Sequence, residues 1–404
     1  MLGINELRNK LEAKRRRGLT RYAFYEEKQD ASDLGISTPE GLALFKCVNG
    51  WCTKAVDGLA DRLQFDRFED DKFMFEEMFN QNNPDIFFDD AILSALITSC
   101  SFVYISKGEN RRVRFQIIDG TNATGVLDDF TKLLVEGYAV LARDKNDNPT
   151  LEAYFTPGET RVISRDAEII EKFNSNYCAL VPIIYKPDAR RPFGHSRISR
   201  ACMDYSKSAM RTLKRTEISA EFYSFPQKYA TGLSQDAEVM DSWKATMSAM
   251  LTFTKDEDGD KPVLGQFQQG SMTPHVEELK SIASLFAGET GLTLDDLGFV
   301  TSNPSSAEAI KAAHEGLRLM AAKAQRCFSV GFKNVGYIGA CIRDNVAYTR
   351  EELFATKVMW KPVFEPDAAM LSLIGDGVLK LNQAMENGGS YIDADKMRRL
   401  TGIE

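Results

Sequence analysis

The sequence predicts an α+β fold, and three observations predict it. Long stretches carry apolar residues at three- and four-residue spacings, the mark of helices with one buried face. Between residues 111 and 173 the pattern changes to short runs separated by turn-forming clusters such as "KNDNPT" and "TPGE", the mark of an antiparallel meander. These strands form one block inside an otherwise helical chain, which is the α+β pattern.

The chain of 404 residues is 43% hydrophobic and 27% charged, enough for two or three domains with cores of their own. Its formal net charge of −8 argues against a protein that neutralises phosphates over its whole surface, and leaves open one that handles DNA without gripping it. Seven cysteines, Cys47, Cys52, Cys100, Cys178, Cys202, Cys327 and Cys341, are scattered with no C-x-x-C pair. That predicts reduced thiols acting as small buried hydrophobes in a cytoplasmic setting, and argues against a zinc ribbon. The first 17 residues form a charged helical pattern without the apolar centre of a secretion signal. The longest apolar run, Ala91 to Ile105, is broken by Ser94, Thr98, Ser99 and Ser101 and falls short of the ~20 residues that span a bilayer.

In chain order, residues 5–30 predict a helix with eight Lys or Arg, including Arg15, Arg16 and Arg17, whose charges read as a solvated face. Val48, Trp51, Cys52, Val56, Leu59 and Leu63 then mark an amphipathic helix. Asp66 to Asp90 holds nine acids against two bases and predicts an exposed acidic region of helix and turn. The Ala91–Ile105 run reads as a core helix leading into a strand, and the meander follows. After a Pro-rich lead-in, Ile198, Cys202, Tyr205, Ala209, Leu213 and Ile218 stripe one helix of roughly 25 residues, nearly 40 Å long. Residues 185–216 carry nine Lys or Arg against two Asp, so its other face is basic. "FPQKYATG" and "DKPVLGQF" predict two strands flanking a helical insert, Asp236 to Phe253, and the acidic turn "KDEDGD". A shorter helix runs from about Pro274 to Ala287, a long one follows residue 305, and "TKVMWKPVFEPD" predicts a strand. Two helices broken at Gly388 and Gly389 close the chain.

Catalytic signatures are scarce. His195, His275 and His314 stand in no H-E-x-x-H motif and near no Cys with a nucleophile's context. "DEDGD" from Asp256 has its Gly at the fourth position of a calcium loop instead of the sixth, and reads as a hairpin tip. Asp295 and Asp296 are the best carboxylate pair for acid-base chemistry. No metal or cofactor site is predicted.

The most specific signal lies between Ile282 and Phe328. Ile282, Ala283, Thr290, Gly291, Leu292, Leu297, Gly298, Asn303, Pro304, Ser306, Ala307, Ala309 and Ile310 stand in the order of the tunnel-loop region of tailed-bacteriophage portal proteins, the head-to-tail connectors, which this stretch resembles. Asn49, Trp51, Val56, Asp57, Leu59, Ala60, Arg62 and Leu63 resemble a second portal motif, and "VPIIYKPDARRPFGHSRISR" the family's lead-in to its stem helix. His195 departs from the Arg or Lys more usual before that Ser, and the region after Asp367 is short for a large crown domain. Physically, Ser305 and Glu308 have the spacing of a capping box. Ile310, Ala313, Leu317, Met320, Ala324 and Phe328 stripe the helix behind it. Gly288 to Ser302 contains three glycines, three acids and no Lys or Arg, so the loop can change conformation and repels phosphate.

The resemblance implies a dodecameric ring at one capsid vertex of the virion, assembled in the host cytoplasm, through which double-stranded DNA passes. It implies a wing (1–195 and 307–365), stem helices (196–222 and 274–290), a clip (223–273), a tunnel loop (291–306) and a reduced crown (366–404). Gly291, Leu292, Thr293, Leu294, Asp295, Asp296, Phe299 and Thr301 would then face the channel. The basic residues Arg200, Lys207, Arg211, Lys214 and Arg215 would either line it or pack against acidic neighbours. Implied partners are the large terminase subunit, a head-completion adaptor, the major capsid protein and scaffold, and no membrane. Two other readings stay open: an intracellular α+β enzyme using Asp295 and Asp296, and another virion structural protein, which would lack the strand pair around Phe225 and Phe267.

Overall fold

In the computed structural model, the described residues are 2–29, 46–108, 112–224, 228–231, 263–266, 270–299, 309, 312–364, 368–383, 392–394 and 396–397. They form two compact units, one of Met1–Lys28, Gly50–Met203 and Gly288–Glu404, the other of Gln29–Asn49 and Asp204–Ala287.

The first unit is built around α4 (Pro84–Thr98) and the strand it feeds, β2 (Cys100–Lys107). Pro84 suits the first turn of α4, where its missing N–H costs nothing. Six consecutive residues of β2 are buried, because both α4 and α7 (Glu315–Asp344) pack on its sheet. That sheet has the antiparallel order β3 (Val113–Ile118), β2, β9 (Leu180–Ile184). The meander forms a second antiparallel sheet of β4 (Ala123–Leu127), β5 (Leu134–Arg143), β6 (Pro149–Thr156), β7 (Glu159–Ser164) and β8 (Glu168–Lys172), in sequence order. The run-and-turn pattern over residues 111–173 predicted β5 to β8, missed β4, and drew into the same meander the run of β3, which pairs instead with β2.

Two glycines of α7 set how closely it lies on its neighbours. A Cβ at Gly331 would stand 2.7 Å from Ile183 Cδ1, and one at Gly336 would stand 2.7 Å from the Phe75 ring. The same helix brings Phe332 to a phenylalanine cluster, 4.6 Å from the Phe88 ring, while Phe88 stacks on Phe65 at 3.9 Å.

That cluster corrects the expectation of an exposed acidic region over Asp66–Asp90. The segment is β1 (Phe65–Glu69), α3 (Phe75–Asn80) and the start of α4, and Phe68, Phe73, Phe75, Phe79, Phe87 and Phe88 are all buried. The acids coat a segment whose apolar half is core. β1 pairs antiparallel with β12 (Lys357–Trp360), the strand predicted after the long helix. A short 3-10 turn, Arg350–Leu353, lies between α7 and β12 in the chain.

α2 (Trp51–Ala60) buries Cys52, Val56 and Leu59 as its spacing predicted, and Leu63 just beyond it, but Val48 lies before the helix and is 60% exposed. Five of the seven cysteines are buried, while Cys47 and Cys327 are half-buried, and all are free thiols. No helix among the described residues is long and apolar enough to cross a membrane.

α1 (Ile4–Tyr25) buries Leu7 and Leu11 against Tyr138 and Val140 of β5. Its start is tethered by Glu136, a buried carboxylate that accepts from the Leu2 and Gly3 amides at 2.6 and 2.7 Å and from the Tyr154 hydroxyl at 2.7 Å. Arg8 donates to both oxygens of Glu152, at 3.1 and 2.6 Å. In the second unit, α5 (Arg200–Ser224) and α6 (Thr273–Thr290) meet where Arg215 lies 3.8 Å from Glu278 and Ser219 lies 3.5 Å from His275. β10 (Lys228–Thr231) and β11 (Val263–Gln266) pair antiparallel as the two flanking runs predicted. The helical insert, the "KDEDGD" turn, Phe225 and Phe267 lie outside the described residues. The last helix described is α8 (Ala368–Gln383).

Burial raises the Glu136 carboxyl pKa, and the hydrogen bonds from Tyr154, Leu2 and Gly3 outweigh it, so the folded-state value lies below the usual one. A group depressed in this way contributes stability above its unfolded pKa, about 4.3, and loses it as pH falls through the folded value. Glu136→Gln is therefore expected to cost about 1–3 kcal/mol at neutral pH. The gap to wild type should narrow as pH drops to about 3, read from urea midpoints at both pH values.

Candidate functional site

The segment singled out by sequence begins where α6 ends. Thr290 is buried, and Gly291 follows with φ +71, a left-handed value that favours glycine after a helix. Gly288 belongs to α6, not to the loop. Leu292 turns inward and is buried near Gly58 of α2, where a Cβ would lie 3.3 Å from its Cδ2.

The next residues close on themselves. Thr293 donates from its amide and its hydroxyl to Asp296 Oδ2, both at 2.8 Å, and the Asp296 amide donates back to Thr293 Oγ1 at 3.2 Å. The Leu297 amide donates to Leu294 O at 3.1 Å, and the Gly298 amide to Asp295 O at 3.0 Å. Gly298, at φ +89, ends this single turn, and Phe299 places its ring edge-on to Trp51 at 6.4 Å. Asp296 Oδ2 also lies 3.9 Å from His314 Nδ1.

His314 was expected on the face of an unbroken helix. Instead a turn at His314 separates helical residues 312–313 from α7, and His314 occupies the N-cap position. Leu317, Ala324 and Phe328 are buried as the stripe predicted, Met320 is half-buried, and Ala313 is exposed. Thr301 and the capping pair Ser305 and Glu308 lie outside the described residues.

One residue holds this junction together. Arg197 is buried, and its guanidinium donates from Nε to Ala55 O of α2 at 3.1 Å, from Nη1 to the Met320 sulfur of α7 at 3.1 Å, and from Nη2 to Thr290 O at the end of α6. Its neighbour Ser196 donates to Ile97 O at 2.6 Å, and the Arg197 amide to Leu96 O at 2.7 Å, so the same dipeptide caps the end of α4. Within the first unit, α2, α4, α7 and the residue Thr290 are thus fixed from two adjacent residues. Glu289, beside Thr290, accepts from Ser199 Oγ at 2.8 Å. The sequence marked Ser196 within its lead-in motif but gave no sign of Arg197's role, because its partners are backbone carbonyls 142 and 93 residues away.

Of the eight loop residues proposed to face a channel, Leu292 is buried, and Thr293 and Asp296 bind each other. Gly291 and Leu294 are half-buried and Phe299 meets Trp51, which leaves Asp295 as the exposed side chain among those described. Asp295 and Asp296 therefore do not converge as an acid-base pair: one carboxylate is taken up by Thr293 and the other faces solvent. Among the described residues there is no cluster of metal-ligating side chains. The basic candidates are spread along α5. Arg200 is exposed, Arg211 donates to Ser208 Oγ at 3.0 Å, Arg215 faces Glu278, and Lys207 and Lys214 have partners of their own.

Arg197→Ala is expected to destabilise the fold by about 1–3 kcal/mol, since it strands two buried carbonyls. Proteolysis should move to residues 288–299, read by limited digestion with mass spectrometry. Gly298→Ala, which forces a side chain into a left-handed conformation, should cost about 1–2 kcal/mol by thermal unfolding.

A family model of phage portal proteins, SPP1 Gp6-like, matches residues 5–352 of this chain. The chain is 25% identical over 411 residues to the portal protein of Mycobacterium phage L5, covering 93% of this chain and 83% of that protein. To the portal protein of Mycobacterium phage D29 it is 23% identical over 320 residues, covering 73% of this chain and 65% of that one. Among solved structures it is similar to a chain in the virion of a native gene transfer agent particle, with TM-score 0.47, 10% identity, and 88% and 90% of the two chains covered. It is also similar to one in the neck of that native particle, with TM-score 0.45, 12% identity and the same coverage.

Proposed function

The chain belongs to the SPP1 Gp6-like family of phage portal proteins, and from that premise we propose that copies of it close into a ring, of twelve subunits, whose central channel carries double-stranded DNA into the capsid and out again. The observation that carries this reading is the match of the family model over residues 5–352. The ring sits at one vertex of the virion and is assembled in the host cytoplasm. It is a structural conduit, with no hydrolysis of its own.

In this reading residues 1–195 and 307–365 form the wing that meets the major capsid protein and scaffold. Residues 196–222 and 274–290 form the stem, 291–306 the tunnel loop, and 366–404 a reduced crown. The clip, 223–273, docks the large terminase subunit during packaging and the head-completion adaptor afterwards. The composition of the loop supports its part: between Gly288 and Ser302 there is no Lys or Arg, and Asp295 is exposed. A wall of that charge lets phosphates slide, where cations would hold them. The anchored turn at 293–298 fixes where such a loop leaves the protein, and Arg197 holds Thr290 at its start. On α5, the Arg215–Glu278 pair supports the packing role for that residue, while Arg211, on the same helix, is the better candidate for the channel.

The mass of the purified protein in solution, with negative-stain images, tests the assembly: rings near twelve times 45.2 kDa with a central hole are expected. A chain that stays monomeric both alone and with capsid and scaffold would overturn it. Asp295→Lys should leave the rings intact and lower the amount of DNA protected from nuclease in a packaging reaction. Unchanged packaging would remove Asp295 from the channel.

A further inference from the structure

The cations of α1 are divided between two flanks of the helix. Arg8 and Arg15 lie on one and are matched, by Glu152 at 2.6 Å and Asp147 at 2.6 Å. Lys10, Lys14, Arg17 and Arg21 recur at spacings of four, three and four and so share the other flank. They are stacked beside the loop that carries Arg191 and Phe193: the Lys10 and Lys14 ammonium groups each lie 5.4 Å from the Phe193 ring centre. Lys10 donates to Gly125 O at 2.7 Å, the Lys14 ammonium also lies 5.3 Å from the Phe102 ring centre, and Arg191 Nη1 lies 3.4 Å from His195 Nδ1. Arg17 and Arg21 are thus the cations of this flank for which the described residues show neither a hydrogen bond nor an ion pair. Burial first, then Arg17 and Arg191, lower the Arg21 pKa, whereas Asp119 acts favourably on Lys14 and Glu136 on Lys10.

The same unit carries the opposite surface. A cleft of about 640 Å³ between α2, β1, α3 and α4 is lined by seven carboxylates, among them Asp61, Glu76, Asp85, Asp89 and Asp90, with Lys361 as its single cation. Asp61, Asp85, Asp89 and Asp90 are exposed. Burial and then Asp85, Asp90 and Asp61 raise the Asp89 pKa, with no cation acting on it. The apolar floor of the cleft, Phe65, Phe79 and Phe88, belongs to the aromatic core, so these acids are held on a rigid base.

We propose that the basic flank of α1 around Arg17 and Arg21, with Arg191 beside it, docks into the acid-lined cleft of a second copy of this chain. This surface and its occupant rest on the ring reading above and name the contact that such a ring would use. Three observations favour a second copy over another partner. Both surfaces lie on one unit, so they are present in equal number in every assembly. They are different surfaces, which gives a head-to-tail contact, the kind that closes into rings. The chain's net charge of −8 makes identical copies repel, and pairing a local excess of positive charge with a local excess of negative charge offsets that at the point of contact.

Charge reversal tests it. Arg17→Glu with Arg21→Glu and Arg191→Glu makes the basic flank acidic. Asp61→Lys with Asp89→Lys and Asp90→Lys makes the cleft basic, at positions outside the first turn of α4. Each triple variant is checked for wild-type circular dichroism and unfolding midpoint, then sized by native mass spectrometry alone and as an equimolar mixture. The expected result is that wild type forms rings, each variant alone runs at monomer mass, and the mixture regains rings with strict one-to-one composition. Strict alternation follows because only unlike neighbours then present opposite charges. Rings from either folded variant alone would overturn the inference while leaving the portal reading intact. If both variants assemble and the α1 variant instead loses binding to a 30-base-pair DNA duplex, the flank serves nucleic acid and the inference fails. If a variant misfolds, the single substitutions Arg17→Glu and Asp89→Lys are mixed in its place, and a mixture no larger than its components counts against the proposal. Wild type that forms no ring under any of these conditions overturns the portal assembly and this contact together.

Discussion

The close approach of α7 to its neighbours is the constraint on which the first unit depends. Gly331 and Gly336 leave no room for a side chain between the helix and Ile183 on one side and Phe75 on the other. At that separation one helix covers the β3-β2-β9 sheet, closes the phenylalanine cluster through Phe332, and reaches the strand that pairs with β1. Its first two turns are also where the Thr290–Phe299 segment is anchored, Asp296 lying against the N-cap His314 and Arg197 joining Met320 to Thr290 O. The position of the loop is therefore inherited from packing about 20 Å or more further along the same helix, at ~1.5 Å per residue.

Much of this was legible, and the reason is locality. The meander is written in turn residues and short runs, and neighbouring strands pair in sequence order, so register follows from the turns. The buried stripe of α7 and the seam of α2 follow from side-chain periodicity alone. What stayed hidden depends on distance in the chain. β1 pairs with a strand almost three hundred residues later. The density of acids from Asp66 to Asp90 masked a core segment, because six phenylalanines at irregular spacing produce neither period.

The site was legible as a location and not as a geometry. Its glycines were read as freedom of movement, yet Gly291 and Gly298 serve fixed left-handed turns, and Gly288 sits inside a helix. Asp296 was read as one of a carboxylate pair and as facing a channel, yet three residues away stood Thr293, the partner with which it forms a closed turn. Composition reports how much charge a loop carries. It does not report how much of that charge is already committed.

Arg197 has a consequence for genetics. Two of its contacts are to main-chain oxygens, at Ala55 and Thr290, which every amino acid supplies equally. Changing the side chain at position 55 or 290 can neither create nor repair those bonds. Among the described residues, the side chains placed to co-vary with a lesion at 197 are Met320 and Tyr185. Suppressors of such a lesion are to be sought among residues that stiffen the junction as a whole, and a catalogue of correlated substitutions would pass over the group that organises it.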